Sequence, residues 1–123
     1  MSIWDLFKLF KAAHHSNLGG TYAEQGKLED AIREYKMALE INRNLAETHF
    51  GLGAVYQMQG KFEEAITQYK VGLEIKPDDA QAHFNLGQIY KELNNESEAQ
   101  EEFNQAKKID PDIIGKALKE LGQ

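Results

Sequence analysis

The sequence "NLGQIY", residues 85–90, recurs in related form at two other places in the chain. "NLGGTY" stands at residues 17–22 and "GLGAVY" at residues 51–56, and the spacing is 34 residues both times. In the last copy, Leu86 and Tyr90 lie four residues apart and therefore on one face of a predicted helix. A helical segment repeated at a fixed period indicates a stacked array.

The repetition extends well beyond these six residues. Seven positions are identical in all three copies at an offset of 34, which is the mark of a repeat architecture. They are Ala12/Ala46/Ala80, His15/His49/His83, Leu18/Leu52/Leu86, Gly19/Gly53/Gly87, Tyr22/Tyr56/Tyr90, Ala31/Ala65/Ala99 and Ile41/Ile75/Ile109.

Each copy contains two blocks of apolar residues at helical spacing, so each repeat is predicted to be a helix pair. Gly26, Gly60 and Asn94 stand between the blocks, where a left-handed conformation ends a helix. Pro77 and Pro111 follow the second block and stop it. The small residues predict close packing, in which the three repeated glycines let the backbone of the partner helix approach. The aspartates expected to cap the following helices are Asp78, Asp79 and Asp112.

The repeat pattern runs Leu-Gly, tyrosine, alanine, aromatic residue, small residue and proline. This order resembles the tetratricopeptide repeat family. The resemblance implies an all-α, right-handed superhelical solenoid of three helix-turn-helix repeats. Histidine stands where the family pattern has tryptophan. The predicted divisions are an amphipathic N-terminal arm at 1–11, repeats at 12–45, 46–79 and 80–113, and a C-terminal capping helix at 114–123 with Ile114, Leu118 and Leu121 on one face.

Composition excludes several classes of function. The 123 residues carry a formal net charge of −6, which argues against nucleic acid as a partner, and contain no cysteine. The apolar stretch from Ile3 to Phe10 is interrupted by Asp5 and Lys8 and lacks the pattern of a signal peptide or membrane span. We therefore expect a soluble protein in the cytoplasm.

No catalytic, cofactor or metal site is predicted. His15, His49 and His83 are separated by whole repeats, so they are expected to pack as half-buried residues in separate helix pairs and not to share a metal ion. The glycines recur singly and form no phosphate loop. The expected function is therefore non-enzymatic, with a protein or peptide as the partner.

The family resemblance implies that the first helix of each pair lines a concave groove. The groove residues that it nominates are Asn17, Glu24, Glu47, Phe50, Met58, Gln81, Phe84, Asn85, Gln88, Lys91 and Glu92.

One subgroup of the family grips carboxylate tails with basic residues. The matching positions in this chain are Ser16, Gly20, Gly51, Gln81 and Asn85. None of them is basic, so the charge-assisted hydrogen bonds of that mode are lost and a co-chaperone role is rejected.

The nominated residues predict a peptide or helix with apolar anchors and neutral-to-basic charge. Phe50, Phe84 and Met58 supply apolar contact, while the amides can bond a peptide backbone. The alternative for Phe50 and Phe84 is that both rings turn inward and pack within the fold.

The N-terminal arm, residues 1–11, is predicted to begin one long helix from Ile3 to Glu24. Three arrangements would bury its apolar face. The arm folds back on the first repeat, it mediates homo-oligomerisation, or it contacts a membrane surface. The membrane alternative is the weakest, because the arm has only two lysines. The self-association residues are Ile3, Trp4, Leu6, Phe7 and Phe10.

Overall fold

A computed structural model describes residues 1–122 of the chain and shows an all-α protein. Within this range the chain forms seven helices in succession. They are α1 (Ile3–Glu24), α2 (Leu28–Ile41), α3 (Ala46–Met58), α4 (Phe62–Ile75), α5 (Ala80–Glu92), α6 (Glu96–Ile109) and α7 (Ile113–Glu120). Nowhere in this described range does a helix combine the length and the apolar composition that crossing a membrane requires.

The turns inside the three helix pairs confirm the prediction that Gly26, Gly60 and Asn94 adopt a left-handed conformation. Gly26 and Gly60 have φ values of 76° and 74°, and Asn94 has a φ of 62°. Asn94 tolerates this left-handed conformation better than most residues with a side chain. The third pair therefore ends its first helix by the same backbone geometry as the other two.

Side-chain caps begin two of the helices. Ser2 and Asp5 form a reciprocal capping box at the start of α1, with the Asp5 N–H 3.2 Å from the Ser2 hydroxyl. Asp79 caps α5 as predicted, since its carboxylate accepts from the Ala82 N–H at 2.9 Å. Asp112 precedes α7, but its side chain makes no capping bond there, so the prediction for this residue is wrong.

The chain divides into two compact units, Met1–Ile75 and Lys76–Gln123. Unit 1 contains the hairpins α1–α2 and α3–α4, and its core is formed by small, aliphatic and aromatic residues that are nearly inaccessible to solvent. Tyr35 of α2 packs between Gly19 of α1 and Gly51 of α3. A single aromatic ring therefore connects three helices of this unit.

The repeated glycines make room for aromatic rings more than for backbone. A Cβ on Gly19 would lie 2.7 Å from Tyr35 Cδ1, and one on Gly87 would lie 2.7 Å from Phe103 Cε1. At Gly53 the nearest atoms also belong to a ring, that of Tyr69, with the Ala65 carbonyl oxygen next. The prediction that these glycines mainly admit the partner backbone is therefore wrong, because the aromatic residue of the second helix fills the space.

Unit 2 contains the hairpin α5–α6 and the short helix α7, which packs against both. Ile113 is buried with Phe84 and Ala106, and Ala117 packs against this cluster. The capping helix therefore uses a different face from the predicted one, because Ile113 and not Ile114 reaches the core. Ile114, Leu118 and Leu121 are exposed.

Candidate protein-interaction surfaces

The predicted groove residues of unit 1 lie on α1 and α3, the first helices of two successive hairpins. These helices meet at a hydrogen bond of 2.7 Å between the Ser16 and Thr48 hydroxyls. Asn17 and Glu24 of α1 are exposed, as are Glu47 and Met58 of α3. The surface formed by Asn17, Glu24, Glu47 and Met58, together with Phe50, is called the unit 1 face below.

Phe50 is only partly available on the unit 1 face. Its ring stacks on Tyr69, with the centroids 6.2 Å apart and the planes 26° apart, and its edge covers Gly72. The ring is half-buried, so one side packs inside the α3–α4 hairpin and the remainder faces out. Both sequence-based alternatives thus apply in part, and a role for Phe50 as a ligand anchor stays a prediction.

The predicted groove residues of unit 2 lie on α5. Gln88, Lys91 and Glu92 are exposed along its second half. Nearer its start, the Gln81 side-chain amide donates to the Asn85 side-chain oxygen at 2.9 Å. This bond orders two of the amides on the same face of the helix, one turn apart. The polar members of the predicted set on this helix therefore form a continuous row.

Phe84 is the predicted groove residue that the structure places mainly inside the fold. It is 8% exposed and packs with Ala106 and Ile113, and its ring lies 5.4 Å from that of Phe103. The inward-turned alternative is the one observed for this residue, because α7 covers it. Phe84 contributes to the surface through one edge only, where it borders a recess.

The repeated histidines are half-buried or buried, as predicted, but they also make a repeated polar contact. The Nδ1 atom of each lies at hydrogen-bond distance from a side-chain oxygen on the second helix of the same hairpin. The pairs are His15–Glu34 at 2.8 Å, His49–Gln68 at 2.8 Å and His83–Glu102 at 2.7 Å.

These partners were not predicted from the sequence, although they also recur every 34 residues. The signal was weaker because Gln68 stands where the other two copies have glutamate. Each pair joins the two helices of one hairpin, and no group of three or more His, Asp or Glu side chains within residues 1–122 is placed to hold a metal ion. The role of these histidines in the structure is therefore to connect the two helices of each hairpin by a hydrogen bond.

Local charges shift the pKa values of a few groups near these surfaces. Burial raises the pKa of Tyr35, and the negative charge of Glu24 raises it further. At the start of α7, the Lys116 ammonium donates to Asp110 at 2.6 Å and lowers the pKa of that carboxyl. The stabilising effect of this exposed pair is present at neutral pH and is lost as the pH falls through the lowered pKa of Asp110.

The N-terminal arm is the first part of α1, which runs without interruption from Ile3 to Glu24 as predicted. The six large apolar side chains between Ile3 and Phe10 are between 43% and 71% exposed, and Met1 is 90% exposed, so the fold-back alternative is not what the structure shows. Trp4 and Phe7 contact each other, with ring centroids 5.9 Å apart. The exposed large apolar residues of the arm within α1 are Ile3, Trp4, Leu6, Phe7, Leu9 and Phe10.

Comparison with protein families places the repeats in a known class. A family model described as TPR repeat matches residues 19–60 and 58–94, and one described as tetratricopeptide repeat matches residues 80–113. No curated protein matches the chain in sequence. The repeats point to protein partners.

Among solved structures, the chain is similar to MamA. One crystal structure of MamA superposes with a TM-score of 0.80 at 25% identity, covering 85% of this chain and 61% of that one. A MamA AMB-1 structure gives 0.74 at 27% identity, covering 79% of this chain and 53% of that one. A MamA MSR-1 structure gives 0.75 at 26% identity, with 81% and 57% covered. The chain thus spans between about half and six tenths of the length of these MamA chains. The repeats and these neighbours support a protein-interaction scaffold.

Proposed function

Because the chain belongs to the tetratricopeptide repeat family, we propose that it binds a peptide or helix of a partner protein along the first helices of its repeats. The ligand carries apolar anchors and neutral-to-basic charge. The observation that supports this proposal is the contact between α1 and α3 at Ser16 and Thr48, two helices that both carry exposed members of the unit 1 face. A cytoplasmic location and the absence of catalysis accompany the proposal as predictions.

The charge of the unit 1 face supports a basic or neutral ligand. Glu24 and Glu47 are its two charged members, and both are acidic. Complementary charge steers a partner towards a surface and disfavours partners of like charge. Met58, which is 60% exposed, adds a flexible apolar contact of the kind found on peptide-binding surfaces. The face is therefore suited to an apolar side chain next to lysine or arginine.

Selection from a displayed peptide library tests this proposal. We expect the selected peptides to share apolar anchors and a net charge of zero or above. Glu24→Lys is expected to weaken binding of a selected basic peptide about three- to tenfold, because it reverses a charge on the unit 1 face. Glu64→Lys, on the exposed side of α4, makes the same change in net charge and serves as the control. Enrichment of acidic peptides, or equal effects of the two variants, would contradict the proposal.

A second function is favoured by the exposure of the arm. Large apolar side chains are worth about 1.5–3 kcal/mol each when buried, so six of them on one short segment favour an interface. We propose that the arm of one copy packs against a second copy of the chain. A membrane surface is the competing occupant, but the arm carries only Lys8 and Lys11 as basic residues.

Deleting residues 1–11 is expected to change the chain from an oligomer to a monomer. The reason is that the deletion removes the exposed apolar face while α1 keeps its packed half from Ala12 onward. Light scattering coupled to size-exclusion chromatography measures the mass. Phe7→Glu with Phe10→Glu should have the same effect in a chain of full length, whereas Thr21→Glu, on an exposed site of the same helix outside the arm, should not. A monomer before and after deletion, or arm-dependent sedimentation with anionic vesicles, would reject self-association.

A further inference from the structure

A recess of about 410 Å³ opens between α5, α6 and α7 in unit 2. Its apolar side is formed by Phe84, Phe103 and Ile114, and the two rings pack against each other with an angle of 49° between their planes. This volume lies within the range of about 300–1,000 Å³ that is typical of ligand pockets. These residues, with those named in the next paragraph, define the α7 recess.

The charged side of the α7 recess is entirely basic. Lys91 of α5 and Lys107 of α6 line it together with the amide side chains of Gln88 and Gln100, and no acidic side chain does so in the part of the chain that the structure describes. Both lysines are exposed, and neither forms an ion pair within residues 1–122. The chain as a whole has a net charge of −6, whereas the charged side chains that line this recess are both positive.

We propose that the α7 recess binds an apolar side chain that is flanked by a carboxylate, both supplied by a peptide segment of a partner protein. The apolar group contacts Phe103, Ile114 and the exposed edge of Phe84. The carboxylate lies between the ammonium groups of Lys91 and Lys107, where electrostatic complementarity selects a negative charge. The two glutamine amides supply donors and acceptors for the peptide backbone.

This inference deepens the proposed function and rests on it in one respect, the choice of a peptide as the ligand. The carboxylate that it adds is local to one anchor. It concerns unit 2 alone, while the neutral-to-basic charge is proposed for the ligand of the unit 1 face. The residues involved also differ from the positions matching the carboxylate-binding subgroup of the family, none of which is basic in this chain.

The test is an NMR titration of the full chain with two short probes, acetyl-Leu-Glu-amide and acetyl-Leu-Gln-amide. They have nearly the same shape and differ in charge. We expect the acidic probe to shift the amide signals around Phe103 and Ile114 and to bind about three- to tenfold more tightly than the neutral one. This preference should decrease as salt is raised, because the lysines are exposed.

A pair of matched variants locates the charge effect. Lys91→Gln with Lys107→Gln should remove the preference for the acidic probe without changing the helical spectrum, since both side chains are exposed. Lys108→Gln with Lys119→Gln removes two exposed lysines that do not line the recess and should leave the preference unchanged. Equal binding of the two probes, or the same loss in both double variants, would overturn the inference. Either result leaves the proposed function standing, because that is tested on the unit 1 face with basic peptides.

Discussion

Replacing Tyr69 by alanine is expected to lower the free energy of unfolding by about 3–5 kcal/mol, the range for truncating a large buried aromatic side chain. Tyr69 is 1% exposed, stacks on Phe50 and fills the space above Gly53. Alanine leaves a cavity between α3 and α4 that these neighbours cannot close without moving. Urea unfolding followed by far-UV circular dichroism measures the loss, which is a large part of the 5–15 kcal/mol typical of a small domain.

Tyr69→Phe is the control that separates the ring from its hydroxyl group. The hydroxyl donates to the Gln57 side-chain oxygen at 3.2 Å, and losing one such bond costs about 0.5–1.5 kcal/mol. We therefore expect the phenylalanine variant to retain most of the stability. A loss in Tyr69→Phe as large as that in Tyr69→Ala would show that the polar contact, and not ring packing, holds the hairpin.

Gly19→Ala is expected to destabilise the chain by about 1–2 kcal/mol, although alanine is the better helix former. The alanine Cβ would lie 2.7 Å from Tyr35 Cδ1, and the ring cannot retreat because its other end packs on Gly51. Overpacking of this kind costs about 1–3 kcal/mol, which exceeds the gain of up to about 1 kcal/mol from helix propensity. Thermal and urea unfolding both measure the difference.

Gly20→Ala, one residue further along α1, provides the matched comparison. A Cβ there would meet only the Tyr35 hydroxyl oxygen at 3.6 Å, which is ordinary contact. The propensity gain is then unopposed, and we expect stability to rise by up to about 1 kcal/mol. Equal stability of the two alanine variants would contradict the conclusion that Tyr35 packs tightly between Gly19 and Gly51.

The exposed residues were harder to predict than the helices. Phe50 and Phe84 occupy the same position in successive repeats, and the sequence offered the same two alternatives for both. In the structure Phe84 is covered by Ile113 of α7, a contact that the pattern of a single hairpin does not contain. The α7 recess escaped prediction for the same reason, because Lys91, Lys107 and Ile114 belong to three different helices that only the tertiary structure brings together.

The repeat, the family and the helix pairs are all apparent from the amino-acid sequence. These features depend on local sequence, namely glycine or asparagine at a turn and apolar residues at a 3.6-residue period. They can therefore be recognised without knowledge of the tertiary structure. Which apolar faces are covered becomes visible only in the folded chain, as in α7, where Ile113 is buried while Ile114 and Leu118 are not. The folded chain also shows that rings, and not backbone, fill the space beside the repeated glycines. The physical reason is that a period defines a face of a helix, but burial depends on which side chains of other helices reach that face.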